Sequence, residues 1–266
     1  MKTDNRSPRM KAVFAGGLAA LLASSAAFGH KTFLASSEAI WPSGETVEIA
    51  MTSALEYPDI QFGLGQDRVA FMSATVGGVA VDDLSYAETE TALGIRFTPT
   101  SAGLGVLAVS THPRSGEIPP ESIDVYFEEI DADADVQAAF HALPGSPTLM
   151  RSYSKLTKTI FCVATCEGGE DAVFTPMGQA LEFVPVQNEA RRFALYQDSE
   201  TLAGHRVTIH TPDGRHFEAL TDETGRFTVS AELDGEVLLS AIWIDLPETP
   251  DGNYHSDQAT MTVRLD

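Results

Sequence analysis

The stretch Glu45-Thr-Val-Glu-Ile-Ala-Met51 alternates polar and apolar residues, the period of two that a strand with one buried face requires. Trp41-Pro-Ser-Gly44 ahead of it reads as a turn, and residues 68–76, 94–98 and 105–110 repeat the pattern with Gly and Pro between them. Short strands at this spacing predict a mainly β chain built of β-sandwiches rather than βαβ units. The middle breaks the pattern. Pro119-Pro120-Glu121 opens a predicted helix over 122–130, and Asp131-Ala-Asp-Ala-Asp135 caps a second that stops at Pro144-Gly145. The acidic run lacks the glycine and the terminal Glu of a calcium loop, so capping and solvation account for it. Strands are expected again over 151–163 and 180–185, then over 201–210, 216–220, 225–231, 235–245 and 259–265. The plan is a sandwich over 30–186 with a helical insertion at about 119–143, a boundary near 186–190, and a second sandwich over 187–266.

One hairpin is legible in register. Thr211-Pro-Asp-Gly-Arg215 fits a type I turn followed by a left-handed Gly214. That turn pairs His210 with His216 and Ile209 with Phe217, which sets Val207, Ile209 and Phe217 on a buried face and both histidines on the other.

The N-terminus places the chain outside the cytoplasm. Lys2, Arg6, Arg9 and Lys11 precede an uncharged run of small and apolar residues ending at Phe28, the form of a secretory signal peptide over 1–29. Cleavage after Ala27-Phe28-Gly29 frees His30, and cleavage after Ser25-Ala26-Ala27 frees Phe28; the first is the expectation. It leaves 237 of 266 residues with a formal charge of −24 in place of −21, and no later segment long and apolar enough to span a bilayer. Such a surface repels nucleic acid and anionic lipid headgroups. In a periplasmic setting Cys162-Val-Ala-Thr-Cys166 reads first as a local disulfide, with a thiolate pair for a soft metal as the alternative.

Nucleophile elbows, phosphate loops, zinc-protease helices and dinucleotide fingerprints are absent, so a non-enzymatic role is expected. The seven histidines carry the remaining chemistry, and all follow the cleavage point. With His30 first, its α-amine and imidazole nitrogen chelate one ion, a donor set suited to Cu(II), Ni(II), Co(II) or Zn(II). His112 and His255 are the expected partners, since both fall at strand ends near turns. His210 with His216, and His205, are weaker candidates.

Several motifs, in order, resemble a family of periplasmic proteins known as domain of unknown function 4198. They are His30-Lys-Thr-Phe-Leu34, Trp41-Pro-Ser-Gly-Glu-Thr-Val47, Tyr153-Ser-Lys155, Gly178-Gln-Ala-Leu-Glu-Phe-Val-Pro185, Thr221-Asp-Glu-Thr-Gly-Arg-Phe227 and Ala259-Thr-Met-Thr-Val263. The family was once described as a nickel- or cobalt-uptake component, and the Thr-Asp-x-x-Gly turn also occurs in transthyretin-like sandwiches. The resemblance implies two immunoglobulin-like or transthyretin-like sandwiches in the periplasm and transition-metal handling beside a membrane or outer-membrane transporter. Only His30 carries over as a ligand. Ala180 and Trp243 depart from the pattern, Trp243 standing where members often have a histidine. A metal-binding accessory protein is therefore the first expectation, and a non-catalytic protein- or glycan-interaction module of the cell envelope is the alternative.

Overall fold

The computed structural model describes residues 30–265 apart from 130 and 131, so the signal peptide read over 1–29 lies outside the described residues. In chain order the elements are β1 (Lys31–Ser36), β2 (Ile40–Trp41), β3 (Val47–Ala54), β4 (Phe62–Gly63), β5 (Val69–Val76), β6 (Val79–Ala80), β7 (Ser85–Glu88), β8 (Leu93–Phe97), β9 (Gly103–Thr111) and β10 (Arg114–Ile118). The helices α1 (Ile123–Glu129) and α2 (Ala134–His141) follow, then β11 (Leu149–Val163), α3 (Glu170–Val173), β12 (Leu181–Pro185) and β13 (Arg192–Gln197). The chain ends with β14 (Glu200–Thr201), β15 (Arg206–His210), β16 (His216–Leu220), β17 (Arg226–Thr228), β18 (Gly235–Asp245) and β19 (Asn253–Leu265).

These strands form a mainly β structure of three sheets. A small sheet, β1-β3-β8-β7 with β4 beside β3, and another, β12-β13-β14 with β17 beside β13, flank a large one ordered β16-β15-β18-β19-β11-β9-β5-β6. Period two decides what each face of the large sheet meets. On β11, Phe161 and Val163 point to a core shared with Leu34, Ile49, Ile95 and Leu107. Leu156, of opposite parity, joins Leu181, Phe183, Phe227, Ala259 and Met261. The two small sheets therefore cover opposite faces, giving two sandwiches that share a central sheet. The helices fill a third core, where Tyr126, Phe127 and Phe140 pack on Leu149 and Tyr254.

The sharing changes the expected division of the chain. β11 pairs in parallel with β19 from Met150↔Asn253 to Thr159↔Thr262, so strands from both halves are hydrogen-bonded in one sheet. β12 was assigned to the first unit, yet Leu181 and Phe183 are buried in the C-terminal core. The crossing between cores therefore lies ahead of Leu181 rather than near 186–190. The predicted strand 201–210 is also broken. Residues after Thr201 turn, with Gly204 at φ +67°, before β15 begins at Arg206. Asp133 occupies the N-cap of α2 without a side-chain capping bond.

The 210/216 hairpin has the register read from its turn, with Gly214 at φ +82° and His210 opposite His216. Its burial differs from the reading. Val207 and Ile209 are buried, whereas Phe217 is 36% exposed. β16 is the last strand of the large sheet, so no described strand lies beyond it, and the Arg215 guanidinium stands over the ring at 5.5 Å.

Three motif segments have visible structural work. Lys155 donates its ammonium to the carbonyl of His30 (2.8 Å) and to Gln258 Oε1. With Thr260 Oγ1 donating to Thr32 O (2.6 Å), it anchors the start of β1 on the large sheet. Asp222 Oδ1 accepts from Thr224 N, Thr224 Oγ1 and Arg226 N, which closes the turn before β17 and holds its carboxyl well below the usual range. Glu182, within Gly178–Pro185, pairs with Lys158, both side chains 1% exposed. The same carboxylate accepts the amides of Met177 (2.7 Å), Gly178 (3.0 Å) and Gln179 (3.1 Å). Burial pushes the Lys158 ammonium down, against the opposing pull of Glu182.

Removing one member strands the other's charge in the interior. Lys158→Met is expected to lower unfolding free energy by about 3–5 kcal/mol, the range for breaking a buried pair. Adding Glu182→Gln should restore part of it, because the neutral amide oxygen still accepts backbone N–H groups. Denaturant midpoints of the two variants check this.

Candidate functional site

The six candidate histidines do not converge. His30 is half-buried, its ring edge-on to Phe62 at 4.9 Å. His112 sits exposed in the β9–β10 turn, its backbone bonded both ways with Arg68. His255 lies within β19 rather than at a strand end, because that strand begins at Asn253, six residues earlier than read. His205 holds Ile242 O through Nε2 (3.1 Å) and lies 5.9 Å from the Trp243 ring. Only His210 and His216 stand ring to ring, with centroids 6.5 Å apart. Among the described residues, no three His, Cys, Asp or Glu side chains gather in a way that would hold a metal ion. The cation beside His30 is the Lys155 ammonium, which repels a second positive charge. Cys162 and Cys166 are joined in a disulfide, Cα–Cα 5.0 Å, so neither sulfur is a thiolate ligand.

A serine–histidine–aspartate chain emerges that sequence reading missed. Ser152 Oγ lies 2.8 Å from His255 Nδ1, His255 Nε2 lies 3.4 Å from Asp257 Oδ1, and Asn253 Nδ2 donates to Ser152 Oγ at 2.7 Å. The serine and histidine are 103 residues apart and meet only through the β11–β19 register, so no local motif signals them. Ser152 is buried and its oxygen is capped by Asn253, which makes the chain a packed hydrogen-bond relay. Burial raises the Asp257 carboxyl, with His255 pulling the other way.

A groove of about 760 Å³ opens on the face of the large sheet that carries the helices. Thr208, Ser240, Ile242 and Ile244 form its floor, α2 contributes Val136, and β16 contributes Leu220. Leu220 is 68% and Leu246 53% exposed, which leaves apolar area open along the groove. The rim carries Glu128, Asp133, Glu218 and Asp245 against Arg206 and His205. Trp243 borders it and donates Nε1–H to Asp245 Oδ1 (2.9 Å).

A smaller pocket of about 250 Å³ lies between the hairpin and the N-terminal sheet, lined by Lys31, Glu56, Tyr57, His210 and His216. Burial, with Lys31 and His216 nearby, pushes His210 down to about 4. Its Nε2 is 2.8 Å from Ser240 Oγ.

No family model matches the chain, and no curated protein does. Among solved structures, a biofilm-associated protein's BSP domain is similar over 87% of this chain and 30% of its own, at 10% identity and a TM-score of 0.20. A Bacteroides ovatus protein, SGBP-B of a mixed-linkage glucan utilization locus, solved with a mixed-linkage heptasaccharide, is similar over 86% of this chain and 46% of its own, at 13% identity and a TM-score of 0.19. The chain spans less than half the length of either, and likeness at these scores carries no argument about this protein.

The depressed His210 has a pH consequence. The folded state favours the neutral ring, so its contribution is fully present above about pH 6.5, the unfolded value. It is lost as pH falls from there toward about 4, where the folded form titrates. His210→Gln should flatten this part of the stability profile, measured by urea unfolding between pH 7.5 and 4.5.

Proposed function

We propose that the protein is a non-catalytic interaction module of the cell envelope that receives an extended ligand in the groove along β18. The observation that carries this reading is the groove itself. It combines a floor of mixed Ile, Ser and Thr side chains, two exposed leucines and a rim of carboxylates on a rigid sheet. Concave sites with apolar lining and a few polar groups are the usual form of ligand sites. An extracytoplasmic place rests on the signal-like residues 1–29.

The test is binding to glycan and peptide arrays with a chelator present throughout. Replacing both Leu220 and Leu246 with Gln removes apolar contact worth about 1 kcal/mol each. Binding of any ligand so found should weaken at least tenfold. Unchanged affinity places the ligand elsewhere and sinks the reading.

A second reading, a periplasmic transition-metal accessory protein serving a transporter, has one observation in its favour. The His30 ring is half-buried edge-on to Phe62 (4.9 Å) rather than left exposed, so a chelate of its freed amine and imidazole would have a fixed position. Purified protein beginning at His30 should then bind Cu(II), Ni(II), Co(II) or Zn(II) in calorimetry, and His30→Ala should abolish binding. Retained binding removes His30 from the role.

A further inference from the structure

Along the groove, β18 presents an edge that no described strand covers. β15 pairs with β18 only from His210↔Leu238 to Thr208↔Ser240. β18 continues to Asp245, still paired with β19 on its other side as far as Asp245↔His255. The chain before β15 turns away because Gly204 takes a positive φ. The stretch from Ala241 to Asp245 is thus unpaired on its β15 side, with Val207 and Arg206 of β15 alongside its first two residues, and all five residues line the groove.

Alternation identifies which backbone groups point outward. His205 Nε2 reaches the carbonyl of Ile242 from the β15 side. Successive residues alternate in direction, so the N–H groups of Ile242 and Ile244 and the carbonyl of Ile244 face the same way. Their side chains lie on the groove floor, while the outward groups stand at its side. Edges of this kind are commonly blunted by Lys, Pro or a bulge. Here the stretch reads Ala-Ile-Trp-Ile-Asp, with no Lys or Pro until Pro247. Val136 of α2, with Ala132 and Asp133 just ahead of the helix, lines the groove as well.

We infer that this edge takes an extended polypeptide by β-strand addition, an inference that rests on the groove being the binding site. The chemistry of the occupant follows from the lining. Main-chain pairing to Ile242 and Ile244 supplies affinity without sequence demand, and alternate side chains supply specificity. One side of the peptide meets Leu220, Leu246 and Val136 and should be apolar. The other meets the rim, where Glu128, Asp133, Glu218 and Asp245 outnumber Arg206 and His205, and should carry lysine or arginine. The partner is an extended segment alternating apolar and basic residues. A glycan matches the rim less well, because the outward amides want a partner with a repeat close to that of a strand.

The probe is an octapeptide of alternating lysine and valine, titrated into the protein starting at His30 and followed by Trp243 fluorescence. Micromolar binding is expected, with at least tenfold weaker binding of the glutamate–valine counterpart. Two further peptides carry N-methyl groups on alternate amides, one at the lysines and one at the valines. Strand addition requires that one of them bind at least tenfold worse than the other; equal affinities overturn it. Ile244→Pro removes an outward N–H while leaving the β19 side paired, and should reduce binding at least tenfold with circular dichroism unchanged. If that variant does not fold, the surface change Glu218→Lys decides, and affinity for the basic peptide that stays the same overturns the inference. Binding of a mixed-linkage heptasaccharide but of no peptide rejects strand addition and leaves the groove reading standing. No response to either probe rejects both.

Discussion

The parallel pairing of β11 with β19 is the constraint on which the rest of the structure depends. Parallel neighbours need a long connection, and here it is the chain from β12 to β18, which forms the second sandwich. Because the pairing joins strands from both halves, each flanking sheet packs against the same hydrogen-bonded layer. Period two then gives each face of β11 its own core, Phe161 and Val163 on one side and Leu156 on the other. The buried Lys158–Glu182 pair lies at this junction and ties β12 to β11. Such a pair is costly to desolvate, and Glu182 retains it by using its remaining acceptor capacity on three consecutive amides.

The groove arises from a mismatch in strand length within that layer. β18 has 11 residues and pairs with β15 only over Leu238–Ser240, so it extends past that pairing at both ends, and the groove lies at the Asp245 end. α1 and α2 fasten to the same face through Tyr254 and Leu149, and Val136 of α2 lines the groove there. The groove therefore appears where two features distant in sequence, the helical insertion and the β15–β16 hairpin, are brought to one face of a sheet.

Strand positions were readable because half-buried strands impose alternation locally, and the 210/216 hairpin because Asp213-Gly214 dictates its own turn. The disposition of the histidines was not. His255 looked terminal because the polar start of β19, Asn253-Tyr-His-Ser256, carries no clean alternation and is held in the sheet by pairing with β11 and β18. Phe217 looked buried because its register partner Ile209 is, whereas its exposure reflects the absence of a further strand outside β16. Trp243, noted only as a departure from a family pattern, proved to border the groove.

By itself the sequence determined the mainly β class, the helical interruption, the hairpin register and the acidic surface, since each follows from neighbours within a few residues. Only the tertiary structure decided that two sandwiches share one sheet, that β12 belongs to the second core, and that β18 is left with an open edge. Those outcomes depend on which strands meet far along the chain, Lys158 and Glu182 across 24 residues, Thr208 and Ser240 across 32, Ser152 and His255 across 103. A backbone hydrogen bond carries no residue-specific mark by which such a meeting could be read in advance.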